Sequence, residues 1–168
     1  MVPRATEDMM RIEIQTEIVA PPETCFDLAR DIDFHRRTMA GTGERAVAGV
    51  TSGLIGAGEE VTWEARHFGI TQRLAVRIVE FDRPHHFRDC QVRGPFRLFD
   101  HIHRFESRGD QTIMIDEIEF ASPGGPIGWA VDRLVLARHL RRLIAARGEA
   151  IRDEAQRLAD SSRSERHC

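Results

Sequence analysis

The chain contains no lysine, no asparagine and no tyrosine, and its 24 basic residues are all arginine. Such a pattern fits coding biased toward G and C, so the arginine count does not by itself mark a phosphate-binding surface. Cysteine is scarce as well: Cys25, Cys90 and Cys168 are odd in number and lack C-x-x-C spacing. They read as reduced thiols, and neither a disulfide framework nor a zinc knuckle is suggested. No apolar run approaches the roughly 18 residues that span a bilayer. The N-terminus "MVPRATEDMM" has acids where a signal peptide places its apolar region, so a soluble cytoplasmic protein is expected. A net charge of −3, with acids and arginines intermixed, lacks the one-sided basic excess of a dedicated nucleic-acid binder. The glycine-rich "TSGLIGAGEE" has no following Lys-Ser/Thr and leads into a strand, which excludes a phosphate-binding loop and leaves a hairpin connection.

What is present organises well. A length of 168 residues suits one domain with a core of its own. "RIEIQTEIVA" alternates Ile12, Ile14, Thr16 and Ile18 against Glu13, Gln15 and Glu17, the period of a half-buried strand. Pro21 and Pro22 then mark a helix entrance, with Glu23 in the first turn, and "IDFHRRTM" makes a second short helix. Six strands follow, at about 44–51, 58–67, 70–82, 85–93, 96–107 and 111–121, separated by turn signals at the intervals of an antiparallel meander. A tight turn at Phe68-Gly69 pairs Trp63 with Leu74 and Val61 with Val76. After "SPGGPIG", Leu136, Leu140, Leu143, Ile144 and Ile151 recur at helical spacing, predicting one amphipathic helix over 127–158 that Gly148 weakens or bends. The exposed arginines of that helix read as a solvated face, and no exposed apolar stripe is evident. The expected layout is an N-terminal extension at 1–10, a single domain at 11–159 and a frayed polar tail at 160–168.

A strand, two short helices, a six-stranded meander and a long last helix form an α+β arrangement in which a curved sheet wraps the final helix. This order resembles the helix-grip fold of the START/polyketide cyclase/pollen-allergen superfamily, SRPBCC. The resemblance is carried by "EVTWEARHFGI" (60–70), "RGPFRLFDHIHRF" (93–105) and "TIMIDEIEF" (112–120), and is nearest to bacterial ligand-binding or cyclase/dehydrase-like members. A strongly curved sheet closed by one helix leaves a concave interior; members of the superfamily include lipid carriers, hormone receptors, cyclases and oxygenase subunits, so the resemblance specifies fold more sharply than function.

Two histidines at i, i+2 raise the functional question. Phe99, His101, His103 and Phe105 share one face of their strand, and Thr112, Met114, Asp116, Ile118 and Phe120 share one face of the next. An even-residue turn at Arg108-Gly109 aligns the two sets inward, with Asp116 opposite His101 or His103. At Gly94-Pro95 a two-residue turn would align His101 with Arg88 and a three-residue bulged turn with Phe87; the bulge, which the resemblance also suggests, is preferred and turns Phe87, Asp89 and Gln91 inward. The expected pocket takes its apolar lining from Trp63, Leu74, Val76, Phe87, Phe105, Met114 and Phe120, with Leu136 and Leu140 from the helix. His101, His103, Asp116, Asp89, Gln91 and His67 supply its polar contacts.

Three uses of the histidines compete. A metal would need a third ligand from Asp116, Asp89 or His67, and nothing else marks such a site, so no metal and no cofactor are expected. Acid–base catalysis would have Asp116 orient one imidazole for enolisation, aldol closure or dehydration of a bound ketone, with His101, His103 and Asp116 as its residues. Binding without chemistry asks least of the site and is preferred: a small, mainly hydrophobic molecule, lipid-like or polyketide-like, held in the cavity. No nucleic acid and no stable membrane insertion are expected, and a monomer or a homodimer through a sheet edge fits equally.

Overall fold

The computed structural model describes residues 9–67 and 69–165, apart from the side chains of Thr42, His67, Arg163 and Glu165. Alternation along Ile12, Ile14, Thr16 and Ile18 becomes β1 (Met10–Ile18), with Ile12, Thr16 and Ile18 buried. Pro21 is extended and Pro22 opens α1 (Pro22–Ala29), which turns Cys25, Phe26 and Ala29 inward. Helix α2 (Ile32–Thr38) starts at Asp31, whose carboxylate accepts hydrogen bonds from the backbone N–H of Asp33 and Phe34 at 2.9 and 3.0 Å.

Six further strands follow: β2 (Arg45–Gly49), β3 (Glu60–His67), β4 (Ile70–Asp82), β5 (His86–Arg93), β6 (Leu98–Arg108) and β7 (Gln111–Ala121). With β1 they form one antiparallel sheet in the order β1-β7-β6-β5-β4-β3-β2. Trp63 lies opposite Leu74 and Val61 opposite Val76, as the tight-turn reading requires. Gly109, at φ +66°, makes the two-residue turn that sets β6 against β7, and His103 faces Asp116 across it.

The β5–β6 register differs from expectation. His101 pairs with Asp89, not Phe87, and Phe87 pairs with His103. Gln91 braces the wider turn: its side-chain amide donates to the Phe96 carbonyl at 2.8 Å and accepts from the Phe96 N–H at 3.3 Å. The displacement is two residues, which preserves side-chain parity, so Phe87 and Asp89 still face inward.

The last helix also departs from one uninterrupted run over 127–158. Helix α3 (Gly125–Val131) leads into a π turn at Asp132–Leu136 and then α4 (Ala137–Glu165), so the helix extends into the segment expected to fray. The π turn begins at Asp132, which is buried and accepts from the Ser122 N–H at 2.8 Å and the Ser122 hydroxyl at 2.5 Å. Gly148 does not interrupt α4. A Cβ there would lie 2.5 Å from Thr16 Oγ1, so glycine is what lets α4 rest directly on β1.

The core lies between the sheet and these helices. Phe26 of α1 meets Phe81, Phe87 and Phe105 edge-on at 5.3–5.4 Å, and Ile12, Ile118, Phe120, Ile151 and Ala155 are buried on the same side.

Candidate functional site

Where α2, the sheet and the last helix diverge, they enclose a cavity of about 390 Å³. The sheet contributes Val61, Trp63, Leu74, Val76, Phe87 and Phe99, and the helix contributes Leu136, Leu140, Leu143 and Ile144. Asp89, His101 and His103 form a polar patch in this otherwise largely apolar wall. Nine of the side chains expected from the sequence line the cavity: Trp63, Leu74, Val76, Phe87, Asp89, His101, His103, Leu136 and Leu140.

Five others lie elsewhere. Phe105 packs with Phe26 and Phe87, Met114 sits under Gly148, and Phe120 is buried near Phe96. Gln91 is engaged by the β5–β6 turn. Asp116 stands behind the histidines and is buried. Strand parity identified the inward face correctly, but parity cannot tell core from cavity wall. His67, whose side chain lies outside the described residues, cannot be placed.

The polar patch is a hydrogen-bonded chain. Asp116 Oδ1 lies 2.7 Å from His103 Nδ1 and 3.0 Å from His101 Nε2, and His103 Nε2 lies 3.3 Å from Asp89 Oδ2. His103 therefore stands between two carboxylates. Carboxylates only accept, so both its ring nitrogens donate and the ring is an imidazolium. Burial opposes that charge, but the bonds to Asp116 and Asp89 outweigh it and raise the His103 pKa. His101 moves the other way: burial, followed by the neighbouring His103 charge, holds its pKa below the ordinary value despite the bond to Asp116. A neutral His101 that donates from Nε2 keeps a lone pair on Nδ1.

The two aspartates are stabilised as anions. Burial alone would raise both; the bonds from His101 and His103 hold Asp116 far below the carboxylate range. For Asp89 the His103 bond and the positive charges around it have the same effect. The His101 and His103 rings are 3.8 Å apart, and Phe87 stacks on His103 at 4.2 Å, which fixes ring orientation from the apolar side.

Asp89, His101 and His103 each bring one potential metal-ligand atom to within 4.8 Å of the others, with Asp116 bonded to both imidazoles from behind. An ion there would have to displace the proton on His103 Nε2.

Among the cavity residues that the sequence did not mark are His35 and Arg147. His35 of α2 bonds Glu44 at 2.8 Å and stacks on Trp63 at 4.2 Å, and burial, helped by the Arg147 charge, lowers its pKa. Arg147 of α4 reaches the Ala29 carbonyl and lines the cavity. Each carried a signal: Ile32, His35 and Met39 fall at helical spacing, and Arg147 continues the stripe of Leu140, Ile144 and Ile151.

No family model and no curated protein sequence matches the chain. Solved structures do. TTHA0849 from Thermus thermophilus superposes at a TM-score of 0.67 with 20% identity, covering 84% of this chain and 97% of that one. The Zhui aromatase/cyclase from Streptomyces sp. R1128 gives 0.71 with 16% identity, over 89% and 94% of the two chains. A START superfamily protein from Mycobacterium smegmatis gives 0.64 with 13% identity, over 88% and 98%. At these identities the likeness shows the fold: the curved seven-stranded sheet, two short helices and long last helix are the helix-grip architecture shared by SRPBCC proteins.

Proposed function

We propose that the chain binds a small, mainly apolar molecule in the cavity between sheet and last helix, with the ligand's polar group held by Asp89, His101 and His103. The observation that carries this is a cavity of about 390 Å³ with a largely apolar wall, into which the hydrogen-bonded chain of Asp89, His103 and His101 is set with His101 Nδ1 left to accept. A few convergent polar groups in an apolar enclosure suit recognition of a small molecule. His101 Nδ1 and the Asp89 carboxylate accept, while both His103 nitrogens are already given to carboxylates, so a ligand carrying a hydroxyl donor is favoured over a pure hydrocarbon. Fluorescent fatty-acid and aromatic probes test this: binding should saturate at one equivalent and weaken about tenfold in Trp63→Ala, the cost of losing a large apolar contact. If neither probe class binds and native mass spectrometry finds no copurifying small molecule, the proposal fails.

A second reading rests on the Asp116–His101 bond. It orients a neutral imidazole whose Nδ1 can remove and return a proton, as enolisation or dehydration of a bound ketone requires. That an aromatase/cyclase shares the fold supports considering it. Turnover of a polyketide-like ketone that His101→Ala abolishes, with probe binding retained, would establish catalysis. Binding without turnover leaves the first reading in place.

A further inference from the structure

The start of the last helix is apolar on the outside. Ile127, Val131, Leu134 and Val135 recur at spacings of four, three and one, and all are exposed, Ile127 at 77% and Leu134 at 75%. Trp129 is exposed on the same segment, with the Arg133 guanidinium 5.6 Å from its ring centroid. The sequence reading recognised no such stripe. Large apolar side chains gathered this densely on one exposed element mark a docking surface.

Charge indicates what docks. Residues 125–147 hold five arginines and one acid, Asp132, in a chain whose net charge is −3. Asp132 is buried against Ser122, whereas Arg133, Arg138, Arg141 and Arg142 are exposed. The surface therefore combines a protruding apolar stripe with a local excess of cations, and the Trp129 indole lies beside it on the same helix.

We propose that this face docks reversibly on an anionic lipid bilayer, with Ile127, Val131 and Leu134 at the acyl boundary, the arginines among the headgroups and Trp129 beside the stripe on the same short helix. Among the described residues no helix is long and apolar enough to cross a membrane, so the association is peripheral. A second copy packed through the same patch would bring two arginine clusters into one interface without supplying acids for them. A nucleic acid would satisfy the arginines and leave Ile127 and Leu134 in water. Val131 is both exposed and part of the cavity wall, which puts the stripe at the cavity rim, where an apolar ligand could pass between bilayer and protein. The proposal rests on exposure and charge and does not require the ligand reading.

The test is cosedimentation of the full chain with phosphatidylcholine vesicles and with vesicles that also contain phosphatidylglycerol, alongside Trp129 emission measured in Trp63→Phe. Binding should require the anionic lipid, fall with added salt and blue-shift Trp129. Each of Arg138→Gln, Arg141→Gln and Arg142→Gln should lower vesicle affinity about fivefold. Ile127→Glu and Leu134→Glu should lower it roughly tenfold or more while circular dichroism and probe binding in the cavity stay unchanged. Absence of binding to anionic vesicles at low salt would overturn the proposal, as would binding indifferent to these variants. A dimer abolished by Leu134→Glu, or tight binding to nucleic acid without binding to vesicles, would assign the face to another partner.

Discussion

Four side chains, Asp89, His101, His103 and Asp116, decide how the cavity's polar patch behaves, and the two imidazoles differ because their neighbours do. His103 has a carboxylate at each nitrogen; His101 has one, and an imidazolium beside it. Long-range ¹H–¹⁵N spectra of the metal-free protein should show His103 with both nitrogens protonated at neutral pH, and His101 as the Nε2–H tautomer. The stability consequence has a definite sign. A raised His103 pKa means that the native state keeps a proton the unfolded chain releases near the ordinary histidine value of 6.5, so this contribution is complete below that pH. It is lost as pH rises through the folded value. Asp116 and Asp89 act oppositely, stabilising above the ordinary aspartate value of 3.8 and losing that contribution as pH falls through their lowered folded values. Asp116→Asn should keep the fold at a cost of about 1–3 kcal/mol, the usual penalty for disturbing a buried polar group, while lowering the His103 pKa. An unchanged His103 titration in that variant would mean that Asp116 is not what charges the ring. The trio His101, His103 and Asp116 was legible because parity along two adjacent strands is local information. His35 and Arg147 were not recognised because helix periodicity shows which residues share a stripe and leaves open where that stripe lies against the sheet.

At the scale of elements, departures from the sequence reading occur where a side chain outside the local pattern sets the backbone. Gln91 holds the β5–β6 turn open through two bonds to Phe96, and Asp132 anchors the π turn to the end of β7. Both are polar contacts that periodicity does not register. By contrast the β3–β4 and β6–β7 registers were readable, since a two-residue turn and matched apolar faces leave one alignment that buries both strands. Gly148 carries an opposite lesson: propensity marks it as a weak point in a helix, whereas its lack of a Cβ lets α4 rest against Thr16 of β1. Gly148→Ala should therefore destabilise by about 1–3 kcal/mol through crowding against Thr16, despite alanine's better helix propensity. Chemical denaturation measures it; a stabilised variant would show that Thr16 can turn aside and that the contact is loose.

For the whole molecule, the sheet and last helix hold the walls of the cavity apart while α1 and the phenylalanine cluster fill one end of the space between them. The strand order and the long helix were legible from alternation and spacing, and a concave interior followed from a curved sheet closed by one helix; the cavity's volume was not legible, because it depends on how far the helix stands from the sheet. A ligand that binds only the folded state should raise the melting temperature in proportion to its free-energy contribution, about 2.7 kcal/mol at a hundredfold excess over Kd. The central claim, that this space is a ligand site, is tested most directly by titrating methyl- and imidazole-labelled protein with the tightest-binding fluorescent probe and following the resonances by NMR. Saturation at one equivalent, with Leu74, Leu140, Ile144, His101 and His103 shifting together on a single isotherm, is the result expected. Shifts confined to exterior residues, or cavity resonances unmoved at full occupancy of the probe, would contradict it.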